Sequence, residues 1–270
     1  MKTVLITGAS SGIGKETAIL FANKGWNIAA TMRNSEYLSM FTGNKSIKTY
    51  LLDVKDKKSI KFCIAQVIND FSKIDVIVNN AGIYTTDPLE LTADETIEDI
   101  IDTNIKGVLY TTKLVLEHFR GKKSGTIVNI SSIAGRVTFP FQSIYHTSKW
   151  AIEGFSESLY YELKPFNIKV KVVEPGMVRT NIYNSIFELS VEKYPVEYQT
   201  KFKKWHNYLM GNYKNGYSPE LDAETIYKAV SSSSSKLRYT SDFSTKLVLS
   251  LRSLFSLSVF QNIISKQSKV

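Results

Sequence analysis

Thr7-Gly8-Ala9-Ser10-Ser11-Gly12-Ile13-Gly14 follows the unbroken apolar run Val4-Leu5-Ile6 and leads into Lys15 to Asn23, where Ala18, Ile19 and Ala22 recur at helical spacing. A buried strand, a glycine loop and a helix therefore stand in immediate succession. That arrangement sets backbone N–H groups and a helix N-terminus against a phosphate. Glycines permit positive φ and let a pyrophosphate approach the main chain. A tight turn alone would also use glycine; the flanking strand and helix are the context that the phosphate-binding reading requires.

Working outward, strands are predicted at Lys2 to Thr7, Asn27 to Thr31, Ile47 to Leu52, Asp75 to Val78, Thr126 to Ile130, Ile168 to Val173 and Leu237 to Thr240. Helices are predicted at Lys57 to Phe71, Thr92 to Phe119, Tyr145 to Lys164 and Asp222 to Val230. Alternation of strand and helix demands crossovers and a parallel sheet, so the class is α/β. No internal repeat or linker divides the 270 residues, and one domain over 1–270 is expected.

The second informative stretch is Ser143-Ile144-Tyr145-His146-Thr147-Ser148-Lys149. Helical spacing puts Tyr145 and Lys149 on one face, a turn apart. An ammonium beside a phenol favours the phenolate, so the tyrosine pKa is expected to fall. Such a group exchanges a proton with a carbonyl or alcohol oxygen near neutral pH. Taken alone, the pair also fits one packed ring and one solvated charge.

The chain is 43% hydrophobic, which suits a sizeable core, and carries a net charge of +9. Its lysines are dispersed; the densest cluster, Lys55 to Lys61, includes Asp56. The charge therefore reads as a solvated surface, with a basic partner site as the lesser alternative, and no contiguous stripe points to nucleic acid. The lone cysteine, Cys63, excludes an intrachain disulfide and reads as a small buried residue. His118, His146 and His206 are scattered, and no metal site is expected. Val4-Leu5-Ile6 is too short for a signal-peptide core, and no run reaches the ~18 apolar residues of a membrane span. A cytoplasmic location is the expectation.

The glycine loop is G-x-x-x-G-x-G rather than G-x-G-x-x-G, and with Thr7 in front it resembles the loop of the short-chain dehydrogenase/reductase family. The resemblance continues in register through Asn79-Asn80-Ala81-Gly82, Asn104, Ser131-Ser132, Tyr145-x-x-x-Lys149 placed 13 residues after Ser132, and Pro175-Gly176-Met177-Val178-Arg179-Thr180. It covers positions 3 to 180. It implies a Rossmann-type doubly wound parallel sheet of about seven strands in the order 3-2-1-4-5-6-7. It also implies reversible hydride transfer between a nicotinamide cofactor and a small-molecule carbonyl/alcohol substrate.

By that resemblance Asn104, Ser132, Tyr145 and Lys149 are the catalytic residues. Tyr145 is the proton donor, Ser132 the donor to the same oxygen, and Asn104 the holder of a water beside Lys149. The cofactor would be held by Gly8, Ser10, Ser11, Gly12, Ile13, Gly14, Arg33, Asp53, Val54, Asn80, Ala81, Gly82, Tyr145, Lys149, Pro175, Gly176, Val178 and Thr180. Where NAD-preferring relatives carry an acid to hold the ribose 2′-OH, this chain has Met32 followed by Arg33, a cation suited to a 2′-phosphate. NADP is therefore favoured over NAD, although Arg33 also fits a solvated loop, and Ser11 stands where some NADP enzymes add a second base. Asp53 fits either the adenine contact or, like Asp56, a cap for the helix from Lys57. The family implies a homodimer or homotetramer. A competing function is an NADPH-binding redox sensor with little turnover, against which the full set of four catalytic residues speaks.

Beyond Thr180 the resemblance loosens. Residues 181–217 carry many aromatics and suit a substrate lid over the nicotinamide, for an apolar or bulky substrate, or a helical subdomain whose rings pack on one another. Ile133, Phe139 and Phe141 are expected substrate walls. Residues 243–266 read as one amphipathic helix with three open placements: packing on the body, a subunit contact, or a membrane surface, the last not favoured.

Overall fold

Val4 and Ile6 point to one side of a central strand and Leu5 to the other, and all three are fully buried. That strand, β1 (Thr3–Ile6), lies third in a sheet of seven parallel strands. The others are β2 (Asn27–Met32), β3 (Ile47–Leu51), β4 (Val76–Asn79), β5 (Gly125–Ile130), β6 (Ile168–Val173) and β7 (Arg238–Tyr239). The order is β3-β2-β1-β4-β5-β6-β7, with Ile6 paired to Ala30 on one side and Val78 on the other. Each strand agrees with its sequence prediction to within a residue or two at each end. The computed structural model describes residues 1–187 and 190–268.

Both faces of the sheet are covered, which is why the central strands read as continuous apolar runs. On one face α1 (Gly12–Asn23) and α8 (Glu220–Ser231) bury Ala18, Phe21 and Ile226 against Val4 and Ile6. On the other, α2 (Lys57–Phe71), α4 (Gly107–Lys122) and α5 (Ser143–Leu163) bury Ile60, Val67, Phe119 and Leu159 against Leu5 and Ile77. Cys63 belongs to this second layer, and burial pushes its thiol up to about 12. Strand order reverses between β1 and β4, opening a crevice at their carboxyl ends.

Two helical predictions need correction. The helix expected over Thr92 to Phe119 is α3 (Asp94–Ile100) and α4, joined without a break by a π-helical turn, Ile101–Lys106, that contains Asn104. Residues 181–217 are helical, with a short α6 (Asn184–Phe187) and a long α7 (Val196–Lys214). Phe202, Trp205 and Leu209 form the buried stripe of α7 and pack with Tyr84, Ile186 and Tyr194. The rings of α7 thus pack on one another and on the body, while Ile182 and Tyr183 at the start of the segment line the crevice. Over 243–266 there are two helices, α9 (Phe243–Leu254) and α10 (Leu257–Ser268). The chain turns extended at Phe255, and the carbonyl of Ser256 accepts the first α10 bond, from Phe260 N. Among the described residues no helix is long and apolar enough to cross a membrane.

Candidate active site

Gly8 and Gly12 adopt φ of +67° and +53°, conformations that L side chains rarely take. A Cβ on Gly12 would come within 3.0 Å of Thr180 Cγ2, so the loop from β1 and the segment after β6 touch here. The same loop is locked to the turn after β4. Thr7 Oγ1 accepts hydrogen bonds from the Asn80 and Ala81 N–H groups, each at 3.0 Å, while Asn80 Nδ2 donates to the carbonyls of Thr7 and Gly8, each at 2.9 Å. Ser11 precedes α1 in extended conformation without capping it through its side chain. The first N–H groups of α1 thus face the crevice unclaimed by a side-chain cap, as an anion site requires.

The crevice has a volume of about 540 Å³. Of the eighteen residues expected to hold a cofactor, all but Gly14 line it. Gly14 sits behind the loop, where a Cβ would meet Gly8 O at 2.4 Å. At the far end lie Met32, Arg33, Leu52, Asp53 and Val54. Asp56 caps α2 through Lys58 N at 2.8 Å, which leaves Asp53 free of that duty; its carboxylate accepts only from Lys55 N, at 2.9 Å, among the described residues. Arg33 is exposed at the crevice edge and holds no ion pair among the described residues, while neighbouring Asp99 is paired with Lys55 at 2.5 Å. The glycine cradle, the uncapped helix end and the length of the crevice together fit a dinucleotide.

At the near end Ser132, Tyr145 and Lys149 converge. Ser132 caps the short turn Ile133–Gly135, accepting from Ala134 N at 3.1 Å and donating to Pro175 O at 3.5 Å, with the Tyr145 hydroxyl close enough to feel it. Lys149 Nζ donates to Ile130 O at 3.0 Å and lies 5.7 Å from the centre of the Tyr145 ring. Asn104 stands just behind the lining. Its amide pairs with both main-chain groups of Ile83, each at 2.9 Å, and donates to Ser148 Oγ at 3.1 Å. Ser148 in turn donates to Tyr145 O at 2.7 Å, so Asn104 reaches α5 through Ser148.

The expected fall in the tyrosine pKa is not what the chain alone produces. Burial pushes Tyr145 up to about 12, against the pull of the Ser132 hydroxyl, and burial pushes Lys149 down to about 8, against the pull of Glu153. Desolvation penalises both charged forms.

The expected walls Ile133, Phe139 and Phe141 do not line the crevice. Phe139 stacks on Trp205 with centroids 6.3 Å apart, and Phe141 meets Phe202 edge-on at 5.2 Å. His146 anchors their loop, accepting from Phe139 N at 2.9 Å through Nε2 with Nδ1 2.7 Å from Ala134 O. The near end is lined by Ile83, Tyr84, Ile182 and Tyr183, the last of them one of the aromatics of 181–217. Tyr84 lies between the rings of Tyr145 and Tyr183, at 4.7 and 5.0 Å. Sequence reasoning passed over Tyr84 although it stands only two residues after the Asn80-Ala81-Gly82 turn. It also passed over Ser148, one residue before the lysine, whose hydroxyl had no visible partner in the linear pattern.

A buried network supports the Pro175–Gly176 wall from behind. Gly176 N donates to Tyr217 Oη at 3.0 Å, Tyr217 donates to Asp222 Oδ1 at 3.2 Å, and Ser241 donates to the same oxygen. Burial raises the Asp222 carboxyl to about 7, and Oδ2 has no partner among the described residues. An acid whose folded pKa exceeds its unfolded value favours folding when protonated, so this stabilisation is complete below pH ~4 and is lost as pH rises through about 7. Asp222→Asn is expected to flatten the fall in melting temperature between pH 5 and 8, measured by thermal denaturation; an unchanged slope would remove Asp222 as its source.

Comparison with known proteins agrees with this geometry. The family model for short chain dehydrogenases matches residues 2–189. The 3-ketodihydrosphingosine reductase of Bacteroides thetaiotaomicron is 35% identical over 230 residues, covering 84% of this chain and 82% of that protein. A short-chain dehydrogenase from Streptomyces avermitilis superposes with a TM-score of 0.82 at 28% identity, covering 99% of this chain and 96% of its own. ElxO with NADP bound superposes with a TM-score of 0.74 at 28% identity, covering 89% of this chain and 97% of its own.

Proposed function

The chain belongs to the short-chain dehydrogenase/reductase family, an oxidoreductase acting on CH–OH and C=O groups, and from that premise we propose that it is an NADP(H)-dependent reductase of an apolar or bulky carbonyl compound. The observation that carries the reading is the convergence of Ser132, Tyr145 and Lys149 at one end of a crevice whose other end carries a glycine cradle and Arg33. The dinucleotide, when bound, supplies the hydride. The residues of the chain manage position and protons. Ser132 donates a hydrogen bond to the substrate oxygen, where negative charge develops. Tyr145 delivers the proton to that oxygen. Lys149 offers its ammonium to the ribose and to the electrostatics of the tyrosine, and Asn104 fixes the Ile83 backbone and, through Ser148, the start of α5.

The proposed cradle is Gly8, Ser10, Ser11, Gly12 and Ile13 for the pyrophosphate, Asp53 and Val54 for the adenine, and Asn80 to Gly82 with Pro175, Gly176, Val178 and Thr180 toward the nicotinamide. Tyr84, Ile182 and Tyr183 make the substrate end apolar, which suits a hydrocarbon-bearing ketone. The Bacteroides thetaiotaomicron relative is named as a reductase of 3-ketodihydrosphingosine, which supports a carbonyl substrate. A homodimer or homotetramer is part of the same reading. A sensor without turnover is disfavoured because binding alone has no use for the proton-delivering group.

NADPH oxidation against a panel of ketones and aldehydes tests the proposal. Turnover with long-chain or aromatic ketones is expected. Tight NADPH binding with no turnover on any carbonyl would favour the sensor. Arg33→Ala tests the cofactor preference separately. Loss of one charged contact to the 2′-phosphate is expected to weaken NADPH by roughly ten- to a hundredfold and leave NADH within about twofold. Fluorescence titration with both nucleotides reads the ratio, and an unchanged ratio would refute the role of Arg33.

A further inference from the structure

We propose that the outer face of the α9–α10 corner docks on an anionic lipid surface. The two helices contain more apolar side chains than their packing uses. Thr245 and Leu249 of α9 and Phe260 of α10 are buried, and Leu249 and Phe260 close a small core with Val137, Ile133 and Ile264. Val248 also packs on that core, while seven large apolar groups, Phe243, Leu247, Leu254, Phe255, Leu257, Val259 and Ile263, are exposed. Phe243, Leu247 and Leu254 are spaced by four and seven residues along one face of α9, and Phe243 and Leu254 are 78% and 77% exposed. At the corner itself six consecutive residues, Leu254 to Val259, are exposed, and only Ser256 and Ser258 among them are polar. Val259 and Ile263 continue the exposed apolar row on α10. Covering only the body of the protein would leave the opposite face polar.

Charge selects the occupant. From Phe243 to Ser268 there is no Asp or Glu, while Lys246, Arg252 and Lys266 supply positive charge and both lysines are exposed. Arg252 lies over the Phe260 ring at 5.8 Å, which holds its cation beside the apolar corner. α10 packs on α7, which adds exposed Lys201, Lys203 and Lys204 against a single acid, Glu197. An apolar ridge with cationic flanks is the pattern of a helix that lies in a headgroup layer. A second copy of the chain would bring the same cations to the same face, and a two-fold contact would set like charges against each other. Each helix has 12 residues, which allows lying on the surface but not crossing it. The inference does not rest on the proposed reductase activity.

The test is co-sedimentation of the full chain with phosphatidylcholine vesicles, with and without about one third phosphatidylserine, at low and high salt. Binding is expected only with phosphatidylserine and is expected to fall at high salt. Two variants separate the contributions: Leu254→Ser with Phe255→Ser and Leu257→Ser, and Lys246→Gln with Lys266→Gln. Each is expected to lower vesicle partitioning by at least about tenfold. NADPH affinity and the melting temperature, unchanged in both variants, would show that the fold persists. Absence of vesicle binding, equal binding to neutral vesicles, or variants that bind as well as the parent would overturn the proposal. So would loss of a larger assembly in the apolar variant without any vesicle binding by the parent, since a second copy would then be the occupant.

Discussion

Tyr145→Phe is expected to lower carbonyl reduction by at least about a hundredfold, and up to about ten-thousandfold, while NADPH affinity stays within about threefold. The substitution removes one oxygen and keeps the ring, so the edge contacts with Tyr84 remain and no cavity opens. What disappears is, among the described residues, the only hydroxyl that both lines the crevice beside Ser132 and stands on the helix that carries Lys149. Burial raises the Tyr145 pKa to about 12, so the group is protonated at neutral pH and competent to give that proton to an oxygen that becomes more basic as hydride arrives. Single-turnover NADPH oxidation, read beside a binding titration, separates proton delivery from cofactor capture. Turnover within tenfold of the parent would mean that another donor, with Ser132 the nearest candidate, supplies the proton.

Gly14→Ala is expected to weaken dinucleotide binding by about a hundredfold or more and to destabilise the fold by about 1–3 kcal/mol. The added Cβ would stand 2.4 Å from Gly8 O and 2.5 Å from Asn80 Nδ2. Neither neighbour can yield cheaply. Gly8 O accepts from Asn80 Nδ2, and Asn80 is tied to Thr7 as well, so displacement of one atom disturbs two loops at once. Gly154→Ala serves as the contrast. Gly154 lies within α5 with nothing within 4 Å of a built Cβ, and there alanine is expected to be neutral or stabilising by up to about 1 kcal/mol. Thermal melts of both variants with a nucleotide titration would check the pair. Normal affinity in Gly14→Ala would show that the loop relaxes at little cost.

Much of this was legible in the linear pattern. A parallel strand buried on both sides must be apolar at every position, and Val4-Leu5-Ile6 is. A glycine whose φ is positive admits few substitutes, so Gly8 and Gly12 stand out. Tyr145 and Lys149 share a face because helical spacing leaves no choice. What stayed hidden depends on partners distant along the chain. In the chain alone burial, with the Tyr84 ring against it, raises the tyrosine pKa, a cause that the spacing to its lysine neighbour does not show. Phe139 and Phe141 were assigned to the crevice by nearness to Ser132 and Tyr145, yet α7, some sixty residues on, claims both. The break between α9 and α10 leaves the apolar pattern almost uninterrupted and falls at Phe255, where no glycine or proline marks it.

The π-helical turn at Ile101–Lys106 has a consequence for how this region tolerates change in length. A π turn takes one residue more than the α-helical path it replaces, so α3 and α4 are two rods joined out of phase rather than one rod. Deleting a single residue there would restore a regular helix and rotate one half against the other by roughly 100°. Gly107, packed under Val54, and Asn104, paired with Ile83, would then leave their partners together. In this stretch a gap of one is a heavier change than most substitutions, and the surplus residue behaves as a fixed part of the molecule's spacing.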